Sequence, residues 1–142
     1  MRSFIDTNVL IYADAGDEPA KQSVAIALIA QCLRDGSGVI STQVLHEFIN
    51  AALRKLNLPL ATVRERLRVY ARFETIGSST AAALEALELH ATHRISFWDA
   101  LILQAARQSG CVRLLSEDLQ TGASIAGVRI VNPFLPPARG QG

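Results

Sequence analysis

The stretch SFIDTNVLIYA, Ser3 to Ala13, sets a single acid inside an otherwise apolar run. A lone carboxylate that loses water on folding is costly enough that it neutralises, pairs or finds a metal. Asp6 lies between Phe4, Ile5 and Val9, Leu10, Ile11, and Arg2 is its only basic neighbour in sequence. Phe4-Ile5 reads as a short β-strand that ends at the acid. Three similar runs follow: Val39-Ile40 leads to Ser41-Thr42, Val112 to Leu115 leads to Ser116-Glu117-Asp118, and Arg129-Ile130-Val131 leads to Asn132-Pro133. Each short apolar run ends in polar residues.

Helical patterns fill the intervals. The first opens near Asp17 with Pro19 in its first turn and closes at Gly36 or Gly38, as helix ends prefer. Leu45, Phe48, Ile49, Ala52, Leu53 and Leu56 recur at 3.6-residue spacing until Pro59 stops them. Leu60, Val63, Leu67 and Tyr70 mark a further helix. Thr80 to His93 is helical by propensity, and Phe97 to Gln108 is apolar nearly all round, which predicts a buried helix ending at Gly110. Short apolar strands alternating with helices specify an α/β fold: a parallel sheet covered on both faces.

Composition bounds the function. A chain of 142 residues fits one domain, expected over 1–135, with a mobile tail over 136–142; 49% hydrophobic and 19% charged residues mark it as globular. A net charge of +1 gives no bulk attraction to nucleic acid or acidic membrane, so any such partner must meet a local patch. Cys32 and Cys111 have neither metal-ligand spacing nor a disulfide framework, and no signal peptide or membrane-spanning run is legible. The expectation is a soluble, cytoplasmic protein without a membrane partner.

In open α/β sheets ligands bind outside the carboxyl ends of the strands. Asp6 and Asp118 fall at such ends, Glu47 lies one turn into the helix after the second strand, and Asp99 lies in the first turn of the helix in ISFWDALIL. Helix N-termini favour carboxylates and face the same sheet edge, so the four acids are expected at one pocket. Each also has an ordinary explanation. Ser96 and Asp99 form a capping-box pattern; Glu47 sits with Gln43, Asn50 and Arg54 on what reads as a solvated face; Asp118 suits a turn, and Glu117 competes with it for any role. Asp6 has the fewest such uses. Like charges that converge need a cation, and oxygen donors without Cys or His select a hard one, Mg²⁺ or Mn²⁺. Metal-assisted phosphodiester hydrolysis is the chemistry that follows.

At these residues the chain resembles a family. FIDTNVLIY, STQVLHEF, SFWDALIL and LLSEDLQTG are similar, in order and spacing, to the acidic motifs of PIN-domain ribonucleases, and closest to the VapC-type toxins of prokaryotic toxin-antitoxin modules. The resemblance implies a PIN-like three-layer domain, a four- or five-stranded parallel sheet between helices, and Mg²⁺- or Mn²⁺-dependent cleavage of RNA that inhibits translation. It also implies a cognate antitoxin and a homodimer. By position, Asp6 and Asp99 match the principal metal ligands and Glu47 the second motif's acid. Thr7 and Asn8 match the small polar residues after the first acid, and Ser116 and Asp118 fall in the fourth motif, where Glu117 or Asp118 could supply the fourth acid.

Positive charge for a phosphate strand is expected from Arg64, Arg68 and Arg72, spaced i, i+4, i+8 opposite Leu60, Val63, Leu67 and Tyr70; a solvated helix face accounts for them equally. His46, His90 and His93 lack partners at catalytic spacing and read as structural. Phe97 and Trp98 read as core residues rather than a base-stacking platform. Two other classes compete. A haloacid-dehalogenase-type phosphatase needs an Asp two residues after the first, where this chain has Asn8. A non-catalytic RNA- or protein-binding module would have no use for four acids. A housekeeping RNA-processing nuclease is the alternative within the same chemistry.

Overall fold

The structure, a computed structural model, describes residues 1–136; the tail expected over 136–142 lies, from residue 137 on, outside the described residues. β1 (Ser3–Ile5) occupies the middle of the sheet, flanked by β2 (Gly38–Ser41) and β4 (Arg113–Leu115), and all three of its residues are buried. The described strands run in the order β3-β2-β1-β4-β6-β5, with β3 at Glu74–Ile76, β5 at Ser124–Ile125 and β6 at Val128–Val131. Every pairing is parallel except β5 with β6. Six strands stand where four were legible and four or five were implied. β3 escaped because this edge strand shows mostly exposed residues, Glu74 and Thr75, where an apolar run would be expected of a core strand. β5 is a two-residue strand folded onto β6 through Ala126 and Gly127, both at positive φ (51° and 84°), as a tight hairpin turn demands.

The helices are α1 (Thr7–Tyr12), α2 (Pro19–Asp35), α3 (Thr42–Arg54), α4 (Leu60–Tyr70), α5 (Thr80–His93) and α6 (Phe97–Gln108). The expected limits of α2, α5 and α6 hold because their stop signals are local. Gly36 takes the left-handed conformation that ends α2 (φ 65°), and Ser79 and Ser96 cap α5 and α6 through their hydroxyls. The pattern from Leu45 to Leu56 breaks at Arg54, ahead of Pro59. α1 carried no helical signature in sequence: it is six residues long, nucleated by the Asp6 carboxylate accepting from Thr7 N–H, and held by burial of Val9 and Leu10. Helices alone shorter than about 12 residues are marginal, so packing sustains it.

The core joins Phe4 and Ile5 to Phe48, Leu103, Leu114, Leu115 and Ile130, all fully buried or nearly so. Its register aligns the strand ends. Ile5 pairs with Leu115, and Asp6 N–H continues the ladder to Leu115 O (3.1 Å), so the residues after β1 and β4 emerge side by side. Among the described residues no helix is long and apolar enough to cross a membrane.

Candidate active site

At this carboxyl edge a cavity of about 270 Å³ is lined by Asp6, Thr7, Asn8, Glu47, Asp99 and Asp118, with Asn50 and Trp98 on its rim. Four elements supply the acids. Asp6 caps α1, Glu47 projects from α3, Asp99 from the first turn of α6, and Asp118 from the loop after β4.

Asp6 is 6% exposed. One carboxylate oxygen accepts from Thr7 N–H (2.7 Å) and the other from Ser116 Oγ (2.7 Å). Burial pushes this carboxyl up from 3.8 to about 6; the two hydrogen bonds pull the other way, and the charges of Asp118 and Glu47 add to the rise. Mutual repulsion is therefore secondary to lost hydration, the cost its apolar sequence neighbours announce. Ser116, wholly buried, works twice: it donates to Asp6 and accepts from Asp118 N–H (3.1 Å). Asn8 Nδ2 donates to both oxygens of Asp118 (2.9 Å each). Burial also raises Asp118, with the charges of Asp99 and Glu117 next and the Asn8 hydrogen bond opposing.

Glu47 Oε1 accepts from Gln43 Nε2 (3.0 Å), one turn back on α3. Ser96 Oγ accepts from Asp99 N–H (3.0 Å), so the cap expected there exists. Its return half, a bond from Ser96 N–H to the Asp99 carboxylate, is not formed, and that carboxylate is left to the cavity. Thr7 Oγ1 is buried with no hydrogen-bond partner, and an orphan of that kind calls for a ligand, ion or water.

Glu117 and Asp118 part company. Glu117 turns away from the cavity and accepts from Tyr12 OH (2.5 Å) and Lys21 Nζ (2.8 Å). Its burial would raise its pKa, but those two bonds and the Lys21 charge outweigh burial and lower it. Lys21 also lies over the rings of Tyr12 and Phe134 (4.7 and 5.9 Å to the centroids). The sequence carried no signal for Lys21 or Tyr12, since their partner lies about a hundred residues away.

The arginines stand outside the cavity. Arg64 and Arg68 are exposed on α4, Arg68 is paired with Glu65 (3.1 Å), and Arg72 lies past the helix C-cap Ala71, so the expected three-residue stripe is helical only for its first two members. Leu60, expected on the buried side, is exposed at the helix start. Arg66 makes a two-pronged pair with Asp14. Trp98 corrects another expectation: it is 66% exposed, because the first turn of α6 overhangs the sheet edge while the core is filled by Ala100, Ile102, Leu103 and Ala106.

Among the described residues no three His, Cys, Asp or Glu side chains gather into a metal cage. The donors fit a hard cation all the same. They are oxygens only, both Asp6 oxygens keep a lone pair beyond their hydrogen bonds, and the Thr7 hydroxyl is unspent. Mg²⁺ retains several waters and needs only one or two carboxylates directly.

A family model described as PIN domain matches residues 3–121, from β1 through the Asp118 loop. The fold is similar to that of a toxin-antitoxin complex from Klebsiella pneumoniae, at 22% identity and a TM-score of 0.67 over 92% of this chain and 97% of that one. It is similar to VapC20, a sarcin-ricin-loop-cleaving toxin of Mycobacterium tuberculosis, at 21% identity and a TM-score of 0.64 over 82% and 91%. DNA-bound VapBC from Salmonella typhimurium aligns at 21% identity and 0.61 over 92% and 96%. No curated protein matches the sequence.

Proposed function

The chain belongs to the PIN domain family, and on that premise we propose that it is a divalent-metal-dependent ribonuclease acting as the toxin of a toxin-antitoxin module. The observation that carries this reading is the meeting of Asp6, Glu47, Asp99 and Asp118 around the unpartnered Thr7 hydroxyl, with no protein cation among them. Asp6 and Asp99 are the proposed principal ligands of Mg²⁺ or Mn²⁺, with Glu47 and Asp118 completing the oxygen set. When bound, such an ion acidifies a coordinated water and offsets phosphate charge.

The chain's own groups do the positioning. Ser116 Oγ and Thr7 N–H fix the Asp6 carboxylate, and Asn8 fixes Asp118. Thr7 Oγ1 is the free donor for a phosphate oxygen. Glu47 keeps Oε2 outside its Gln43 bond, so it is the acceptor for a proton leaving water. Arg64, Arg68 and Arg72 are proposed to contact flanking phosphates without reading bases. The partners that accompany this reading are RNA, a cognate antitoxin protein, as in the Klebsiella complex, and a second copy of the chain, in the cytoplasm, where the outcome is inhibited translation.

Cleavage of RNA in Mg²⁺ or Mn²⁺, its loss in EDTA, and a fall of more than about a hundredfold in Asp6→Asn are the expected results. Full activity in excess EDTA would overturn the metal-dependent reading. Growth arrest on expression, relieved by the product of a small adjacent gene, separates a toxin from a housekeeping nuclease.

A further inference from the structure

Beside the acid pocket lies a second cavity, of about 570 Å³, between α3, α5 and α6. Gln43, Glu47 and Trp98 wall both, and the Gln43–Glu47 hydrogen bond is the partition between them. The two are one continuous surface of opposite character. Among its lining residues there is no Lys or Arg, and its ionisable members are His46 and the shared Glu47. The rest of its wall includes the exposed Trp98 indole, Leu101, and the uncharged polar groups of Gln104 and Ser78.

Gln104 is the unusual member. It is 4% exposed on a helix face otherwise built of Ala, Ile and Leu, and its Nε2 donates to Gln108 Oε1 (2.9 Å), leaving the amide oxygen as an acceptor on the cavity wall. That oxygen keeps contact with solvent, so a donor entering the cavity takes the place of water on it. Trp98 makes an edge contact with Phe97 (5.9 Å between centroids) and otherwise offers an open aromatic face. A flat aromatic group with N–H donors at its edge satisfies both, and an unstacked nucleobase is such a group.

We propose that this cavity is a nucleobase subsite, taking one base of the RNA strand beside the bond to be cut, with Trp98 as its stacking face and Gln104 as its polar contact; this rests on the ribonuclease reading of the neighbouring pocket. The sugar-phosphate chain crosses the Gln43–Glu47 partition, so a base held here sets which phosphate enters the acid pocket. Trp98 and Gln104 are specificity residues and take no part in the chemistry.

Trp98 is the only tryptophan of the chain, so its emission reports the wall this cavity shares with the acid pocket, and the abasic strand isolates the part due to the base. The Asp6→Asn protein in Mg²⁺ is titrated with a short single-stranded RNA and with the same strand made abasic. The base-bearing strand is expected to quench Trp98 and to bind roughly tenfold tighter or more. With a labelled strand read by anisotropy, Trp98→Ala should bring the two affinities together, Trp98→Phe should restore most of the difference, and Gln104→Leu should weaken the base-bearing strand alone. In the wild-type protein, Trp98→Ala should raise KM and redistribute cleavage positions more than it lowers kcat. Equal quenching and equal affinity for the two strands overturn the proposal even if the protein cleaves RNA. Base-dependent quenching in a protein that never cleaves RNA overturns the nuclease reading instead. A Trp98→Ala protein that halves in mass in solution, or loses a protein partner, with unaltered RNA affinity assigns the cavity to a protein contact and also overturns the proposal.

Discussion

Glu117 and Asp118 are neighbours in sequence and opposites in environment. Glu117 has a cation and a phenol, Lys21 and Tyr12, and its carboxyl is held below its ordinary value. Asp118, with Asp6 across the pocket, has only neutral hydrogen-bond donors, and both carboxyls are held above theirs. The difference separates two uses of a carboxylate. One is neutralised inside the protein and ties the β4 loop to α1 and α2; the other is left uncompensated, so its charge is available to something that arrives from solution.

The largest expected effect is on Asp6 in the metal-free protein. Native Asp6 keeps its proton to about pH 6, whereas its ordinary value is 3.8. Its contribution to stability is therefore complete below about pH 4 and lost as the pH rises through 6, a loss of about 3 kcal/mol at neutral pH. In EDTA the wild type should melt higher at pH 5 than at pH 7.5 as far as Asp6 is concerned. Asp6→Asn should flatten that dependence and stabilise the apo protein at pH 7.5 by up to about 3 kcal/mol, less whatever its Ser116 bond loses. Mg²⁺ at a hundredfold excess over Kd should add roughly 2.7 kcal/mol to the wild type and little to the variant. An Asp6→Asn protein that is clearly destabilised in EDTA, yet responds fully to Mg²⁺, would break the comparison.

Glu117 should behave with the opposite sign and a smaller size. Its lowered pKa places its contribution above the ordinary carboxylate value of 4.5, to be lost as the pH falls below it. Glu117→Gln should lower the melting temperature by a few degrees at pH 7 and by less at pH 3. Its response to Mg²⁺ should stay that of the wild type, and melts across the two pH values with and without Mg²⁺ measure this. A lost Mg²⁺ response would place Glu117 with the acids of the pocket.

The smallest effect concerns the arginines. Replacing Arg64, Arg68 and Arg72 together with Ala should weaken RNA binding and shallow its salt slope by at most about two, at roughly 0.7 per phosphate contact. Three contacts give that full value, and the pairing of Arg68 with Glu65 draws it down toward the roughly 1.4 of two contacts. An unchanged slope, measured by binding across a salt series, would leave the helix face merely solvated.

What was legible in sequence was local. Pro19 with Gly36 bounds α2, Ser96 caps α6, and the apolar dipeptides Phe4-Ile5 and Val39-Ile40 announce core strands, because caps, breakers and periodicity act within a turn or two of chain. Asp6 declared itself as an acid without a local use, and the acids after successive strands pointed to one edge of the sheet. Edge strand β3 and the short helix α1 were illegible for the complementary reason: neither carries its own pattern, and each exists by packing on a neighbour. Which acid of the Glu117-Asp118 pair faces the pocket, the orphaned Thr7 hydroxyl and the open face of Trp98 were likewise decided in three dimensions. Asp6 meets Ser116, and Asn8 meets Asp118, across 110 residues of chain. Those meetings follow from the pairing of Ile5 with Leu115, and a one-residue slip in that register would turn each strand's side chains to the other face. Sequence thus determined the elements and the kinds of side chain at their ends; the register of the parallel sheet decided which of them share a pocket, and burial at that edge, more than mutual repulsion, raised the carboxyls of Asp6 and Asp118.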